Sequence, residues 1–451
     1  KSIETYCYRG DNTVSWECLQ HNDSIEKSLS KITGPYCVGG IIPSPTENGT
    51  IFYKGKDGGS VSLGTLGDPK IDTIMKYATP APFGKSNETI FDTNVRDAYE
   101  IPGEHIHLDR LILHYVETHS SFLCPRGYRI KPTLYKMHIY KEGGKFQQHQ
   151  DTPHAPNHYA NLIIVCGSTF EGGNIVVSNG TGRTSTFIPS DRKEVDSSSC
   201  IHLDTKDGLL YTVAFYTDCP HEILPVTKGN RVVLQYDIYI EPFIDGKIGD
   251  DNGEYNVFDT YWGNVESHMY NYMVYDKNEP YDCPTEQYVE DFKQSVVKQL
   301  TEFPTKRIAF SLVHQYPAFS LSLDLLRGKD KTVYDILQTI PNIEIHVIPI
   351  SVEYVNTCEE NKKYDPDLGD FRAEIYPINL DQLIKGNPMY YFKQPLRDVA
   401  PEWATNVIFY PGNRLSYSTL LHHIDEVEYT GNESVEEEGQ YLTCCFVIGR
   451  I

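Results

Sequence analysis

Between residues 133 and 240 the chain is written in short β-rich runs: "TLYKMHIY", "ANLIIVCG", "GNIVVSN", "GLLYTVAFY", "EILPV" and "RVVLQYDIYI". Gly, Asn, Asp and Pro stand between them. Runs of this length suit strands and are short for helices, and the residues between them supply turns. Six such runs in about a hundred residues confine the segment to an antiparallel sandwich or barrel.

The flanks have other textures. Residues 1–70 read as short strands and loops, with "YCVGGII" among the apolar runs. "DPKIDTIMKYA" predicts a helix with Asp68 as N-cap and Pro69 at its first position. "EHIHLDRLILHYVETH", residues 104–119, predicts a second. The Gly/Asp-rich stretch 241–256 reads as a linker. Beyond it, "PTEQYVEDFKQSVVKQLTEF" places Val289, Phe292, Val296 and Leu300 at helical spacing. "KRIAFSLVH", "IEIHVIPISVEYV" and "YLTCCFVIGRI" read as strands, with "KTVYDILQTI" a helix between the first two. The expected class is α+β: a β-rich domain with flanking helices over 1–245, then a mixed α/β domain over 257–451.

Composition excludes some roles. Apolar residues are 39% and aromatic residues 12%, enough to build cores. No run of eighteen apolar residues offers a membrane span. A net charge of -22 repels phosphate backbones and disfavours nucleic-acid binding. Acidic runs such as Glu436-Glu437-Glu438 read as solvated loops. The eleven cysteines form no CxxC pair and no regular disulfide framework, although Cys7 and Cys18 are close enough in sequence to pair. Five N-x-S/T sequons, at Asn22, Asn48, Asn87, Asn179 and Asn432, permit a secretory history. No signal peptide is visible after Lys1, and the cytoplasm is the preferred compartment.

His-x-Asp occurs four times, as His107/Asp109, His149/Asp151, His202/Asp204 and His423/Asp425. A mononuclear iron(II) oxygenase needs two imidazoles and one carboxylate on one face of the metal, with the other positions open. A 2-oxoglutarate co-substrate also needs a fixed cation for its far carboxylate, which arginine supplies as a fork. Only His149/Asp151 completes the set, with His221 72 residues after His149 and Arg231 ten residues later. His107 and His202 have later histidines, His158 and His268, but Ser and Asn stand ten residues beyond these; His423 has no later histidine.

Other residues have bland readings. His154 reads as the lip of a pocket, because a fourth protein ligand would close a position catalysis needs. His105 and His107 open the expected helix, where residues two apart do not share a face. Gly172-Gly173 reads as a structural turn or bulge. Cys166 and Cys219 read as buried small hydrophobes, and the tyrosines of the C-terminal half as core.

The stretches "LYKMHIYKEGGKFQQHQDTP", "NLIIVCGSTFEGGNIVV" and "VAFYTDCPHEILPVTKGNRVVLQYDI" resemble, in order and separation, the catalytic domain of iron(II)- and 2-oxoglutarate-dependent dioxygenases of the prolyl 4-hydroxylase type. The flanks "APFGKSNETIFDTNVRDAYEI", "LVHQYPAFSLSLDLLRGKDKTVYDIL" and "EYTGNES" resemble a subfamily from fungi and other eukaryotic microbes. The resemblance implies a double-stranded β-helix (jelly-roll) core. It implies that His149, Asp151 and His221 bind iron(II) and that Arg231 holds the distal carboxylate of 2-oxoglutarate. Tyr140 matches a tyrosine that hydrogen-bonds this co-substrate, and Asn161 falls at a co-substrate position where relatives often have Thr. The implied reaction consumes dioxygen and 2-oxoglutarate, releases succinate and carbon dioxide, and hydroxylates a C–H bond of a protein residue, proline included, or of a small molecule. Ascorbate is the implied reductant. Two alternatives stand beside it: a non-catalytic binding or scaffold protein that keeps the fold, and a nucleic-acid demethylase of the same chemistry, which the net charge disfavours.

Overall fold

The computed structural model describes, apart from short gaps, residues 2–3, 16–19, 23–42, 49–178, 184–189, 200–203, 210–242, 285–356, 371–377, 404–410 and 441–451. The linker from residue 243 onward, Cys7, the five sequons, Asp109, Asp204, His423/Asp425 and Glu436–Glu438 lie outside the described residues.

The six runs fold as strands of two sheets. The larger has seven antiparallel strands, in the order Cys37–Ile42, Leu210–Tyr216, His158–Val165, Arg231–Pro242, Tyr128–Tyr140, Tyr99–Pro102 and Thr79–Pro80. The smaller has six, in the order Cys200–Leu203, Thr184–Pro189, Ile175–Ser178, His221–Ile223, Lys145–His149 and Arg96–Asp97. All eight residues of His158–Val165 are buried, as a strand covered on both faces requires. Leu162, Ile164, Val213 and Phe215 of the larger sheet share one core with Phe146, Ile175, Val177 and Ile223 of the smaller.

The helix expected over 104–119 is shorter, spanning Leu111–Ser121. Ile106 and His107 are instead an edge strand paired with Tyr53 and Phe52: two exchanged ladder rungs outweigh a frayed helical turn. Ile112 and Val116, one turn apart, are fully buried and face the larger sheet. The helix expected from Asp68 starts at Ile71 and ends at Ile74. Asp68 and Pro69 belong to the turn before it, where the Asp68 N–H donates to Thr65 and Pro69 bridges Gly64.

A second core lies around another seven-stranded sheet, ordered Ser2–Ile3, Trp16–Leu19, Val407–Tyr410, Arg307–Ser311, Cys444–Arg450, Ile343–Asn356 and Phe371–Pro377. The helix Glu286–Glu302 covers it, capped by Thr285, whose side chain accepts from the Tyr288 N–H. Phe292, Val296 and Leu300 are its buried stripe, as their spacing predicts. The division of the chain at residue 245 places its first residues with the β core. In the structure Trp16, Ile25 and Ile32 pack with the C-terminal half, and the indole N–H of Trp16 donates to the Ala404 carbonyl at 2.8 Å. No described helix is long and apolar enough to cross a membrane.

A buried polar joint connects the two cores. The Asp218 carboxylate accepts from Arg327 Nη1 at 2.7 Å, from the Gln315 N–H at 3.0 Å and lies 2.9 Å from His314 Nδ1. Burial pushes the Asp218 carboxyl upward, but His314 and Arg327 outweigh it and hold it well below the usual carboxylate range. Gln150, between two candidate ligands, donates to the Asp218 carbonyl at 2.7 Å and to Gln315 Oε1 at 3.3 Å.

Candidate functional site

His149 ends one strand of the smaller sheet and is the direct cross-strand partner of His221, which starts the next. Asp151 follows two residues after His149, in the loop beyond the strand. The pairing thus joins residues 72 apart in sequence. The three side chains are buried, and one ligand atom from each lies within 4.8 Å of the others. His149 Nε2 is 3.9 Å from Asp151 Oδ1, and His221 Nε2 is 3.6 Å from Asp151 Oδ2.

Both imidazoles are oriented by backbone carbonyls. His149 Nδ1 donates to the Gln147 carbonyl at 2.8 Å and His221 Nδ1 to the Cys219 carbonyl at 3.0 Å. Each Nε2 therefore keeps its lone pair and faces Asp151, the tautomer a metal requires. Burial, then the neighbouring His221, holds the His149 imidazole well below its ordinary pKa, so it stays neutral. Phe146 stacks on it with ring centroids 3.6 Å apart. Two ring nitrogens and one carboxylate, all on one side and all fixed, fit a divalent transition metal with open positions.

These three residues line a cavity together with Tyr140, Ile163 and Arg231. Arg231 is fully buried, and among the described residues its Nε, Nη1 and Nη2 make no hydrogen bond of normal geometry. An unpaired guanidinium in the interior is too costly to keep without an anion to receive. Its charge reaches Tyr211, opposing the burial that raises that phenol to about 12. Tyr140 is the cross-strand partner of Arg231, which stands 5.5 Å over its ring. Gly172 and Gly173 both have positive φ, at a register shift in their strand pairing. A Cβ on Gly173 would lie 2.9 Å from Arg231 Cδ, so the glycine pair both turns the chain and makes room for the arginine.

Asn161 does not line the cavity. Its Nδ2 donates to Asp151 Oδ2 at 2.6 Å, and its Oδ1 lies 2.8 Å from His158 Nε2. His158 Nδ1 accepts from the His154 N–H at 3.1 Å, so the ring proton sits on Nε2 and is donated to Asn161. His154 is exposed, with Nδ1 2.6 Å from Asp237 Oδ2. Burial lowers its pKa, but Asp237 outweighs burial and raises it.

Two further groups of donor atoms cluster among the described residues: His154/His158/Asp237, and Asp218/Cys219/His314. Neither suits a metal. Both nitrogens of His158 are occupied. In the other, Arg327 already neutralises Asp218 and burial keeps the Cys219 thiol protonated. Cys166 is likewise a buried thiol, pushed up to about 12 by burial. His105 and His107 lie outside the cavity.

Sequence reasoning did not pick out Arg96, Lys136, His138 and Gln235, which also line the cavity. The signal was present in part: Lys136, His138 and Tyr140 alternate along one strand and so share a face.

Neither a family model nor a curated protein matches the chain. Solved structures similar to it include a 2OG-Fe(II) oxygenase family oxidoreductase from Burkholderia pseudomallei, at 18% identity and TM-score 0.25, covering 38% of this chain and 78% of that one. Another is a prolyl hydroxylase from Trichoplax adhaerens in complex with a hypoxia inducible factor oxygen degradation domain peptide fragment, at 12% identity and TM-score 0.26, covering 38% and 74%. A third is a prolyl-4-hydroxylase from Pseudomonas putida, at 14% identity and TM-score 0.23, covering 38% and 80%.

Proposed function

We propose that this chain is an iron(II)- and 2-oxoglutarate-dependent dioxygenase, built on a double-stranded β-helix, that hydroxylates a C–H bond of a protein residue or small molecule. The observation that carries the reading is the pairing, in one cavity, of a His-Asp-His donor set with a buried arginine whose nitrogens make no hydrogen bond of normal geometry among the described residues. His149, Asp151 and His221 would hold the metal. When bound, iron(II) would supply open coordination positions for co-substrate and dioxygen and a redox centre through which dioxygen oxidises 2-oxoglutarate to succinate and carbon dioxide.

The chain's own residues bind, orient and exclude. Arg231 receives the distal carboxylate as a bidentate fork. Tyr140, beside it, can donate its phenolic proton to the same group; burial raises the Tyr140 pKa, so that proton stays in place. The Gln147 and Cys219 carbonyls keep the two imidazoles in the ligating tautomer. Asn161 holds Asp151 by one oxygen. Phe146, Ile163, Ile223 and Val233 supply apolar lining that limits water. Ascorbate would keep the metal reduced.

The test is succinate formation on admitting oxygen to the anaerobic protein with iron(II), ascorbate and 2-oxoglutarate. Wild type should form it and His149→Ala should not. Equal signals from the two would sink the assignment, and a chain that binds metal but never turns over 2-oxoglutarate would be the scaffold.

A further inference from the structure

The same cavity has a second polar wall that the co-substrate does not use. On the paired strands Tyr128–Tyr140 and Arg231–Pro242, Tyr140 faces Arg231, His138 faces Val233, and Lys136 faces Gln235. All six line the cavity. Lys136/Gln235 is four residues from Tyr140/Arg231, which is roughly 13 Å along a strand. A five-carbon diacid spans at most roughly 6 Å between its carboxyl carbons at ordinary bond lengths. A 2-oxoglutarate anchored on Arg231 therefore does not fill this wall.

The wall is buried and rich in donors. Lys136 and Gln235 are each 8% exposed and Arg96 is 5% exposed. Arg96 Nη2 and Lys136 Nζ share one carboxylate, Glu100, at 3.6 and 2.9 Å. Two cations on one anion leave a positive charge over. The pairing is also incomplete, since among the described residues neither Arg96 Nε nor Glu100 Oε2 has a hydrogen-bond partner. A surplus charge held this deep needs an anion to neutralise it.

Hydrogen bonds orient the wall. Arg96 Nη2 lies 3.1 Å from His138 Nδ1, and arginine can only donate, so that nitrogen accepts. The His138 proton is then on Nε2, 3.0 Å from Gln235 Oε1. Gln235 must present its carbonyl to His138, which leaves its NH2 as a donor for the cavity. Lys136 Nζ keeps donors beyond the one given to Glu100.

We infer that Lys136, Gln235 and Arg96 form the recognition subsite for the hydroxylated substrate, and that this substrate carries a carboxylate. The inference rests on the oxygenase reading for the word hydroxylated, but the subsite binds its anion independently of turnover. The carboxylate comes from a free acid or from an acidic side chain of a peptide.

The experiment is a titration of the full chain, loaded with cobalt(II) and 2-oxoglutarate, with matched pairs of acid and amide. One series is N-acetyl-aspartate and N-acetyl-glutamate against N-acetyl-asparagine and N-acetyl-glutamine. The other is tripeptides centred on the same residues, and the series that binds more tightly identifies the source. Each acid should bind at least about tenfold more tightly than its amide, the usual consequence of pairing a buried charge. Lys136→Met, which keeps the length and removes the charge, should bring the ratio near one while 2-oxoglutarate affinity stays within about twofold. Gln235→Glu, which sets a like charge against the acid, should lower acid binding and serves if Lys136→Met does not fold. Equal binding of acids and amides by wild type overturns the inference. So does loss of 2-oxoglutarate binding in Lys136→Met, or tighter binding of inorganic phosphate than of any acid. If the cobalt-loaded chain takes up no 2-oxoglutarate, the oxygenase reading fails, and the same titration without co-substrate still decides the acid preference.

Discussion

Asn161 Nδ2 lies 2.6 Å from Asp151 Oδ2, inside the interior strand that runs beneath the site. The residue that chain position alone would give to the co-substrate thus supports the carboxylate of the candidate metal ligand Asp151. The bond occupies one lone pair of Oδ2 and helps to fix the orientation of the carboxylate.

Asn161→Leu should therefore weaken metal before it weakens co-substrate. The loss expected for removing such a support is roughly 10- to 100-fold in metal affinity. Metal titration followed by 2-oxoglutarate titration at saturating metal separates the two. A rise in the 2-oxoglutarate requirement with metal affinity unchanged would return Asn161 to the co-substrate.

Arg231→Met should do the reverse. Truncating one partner of a buried charge pair costs about 2–5 kcal/mol, so the 2-oxoglutarate requirement should rise at least about 30-fold with metal affinity little changed. Equal losses of both count against the assigned role.

His154→Ala should leave metal affinity within about threefold, because this side chain binds Asp237 and not the centre. A loss as large as that of His149→Ala would restore it as a ligand.

Acid should weaken the fold between pH 6.5 and 4. Burial, then His114, lowers the His119 pKa from 6.5 to about 4. In that window the unfolded chain holds a proton on His119 that the folded chain does not, so stability rises with pH and falls on acidification. The full shift corresponds to about 3 kcal/mol. His138 and His149, also held low by burial, act in the same sense, and His154 in the opposite one. Urea midpoints at pH 7 and 4.5 should show His119→Gln losing less on acidification than wild type; an identical loss refutes the attribution.

Arg327→Met should destabilise the protein by about 3–5 kcal/mol, because it leaves Asp218 a buried charge with one partner fewer. Adding Asp218→Asn should cost less than the sum of the two single changes, a coupling that a double-mutant cycle measures. Additive losses would mean that the pair does not act as one.

The parts of the site legible in the sequence are those whose chemistry is rare. His149, Asp151, His221 and Arg231 stand out because only the His149/Asp151 copy has a histidine 72 residues on with an arginine ten beyond it, and the two strands that carry the histidines do pair. The strands of 133–240 and the helix Glu286–Glu302 were legible because burial imposes their periods directly. Lys136 and Gln235 were not. Their pairing depends on a register shift between Leu134 and Lys136, which no local pattern encodes. The helix at 104–119 was overextended because Ile106 and His107 pair with Phe52 and Tyr53, a contact set by tertiary packing. The placement of Trp16 in the second seven-stranded sheet, against Ala404, is of the same kind.

The joint at Asp218 has a consequence for anyone trimming the protein. A fragment ending at residue 242 keeps His149, Asp151, His221 and Arg231, the four residues of the proposed chemistry, and by motif it would count as a whole catalytic domain. It would lose His314, Gln315 and Arg327, and with them the partners of Asp218 that hold the turn leading into His221. Such a fragment would fail in an assay for want of a neighbour, and its silence would say nothing about the reaction.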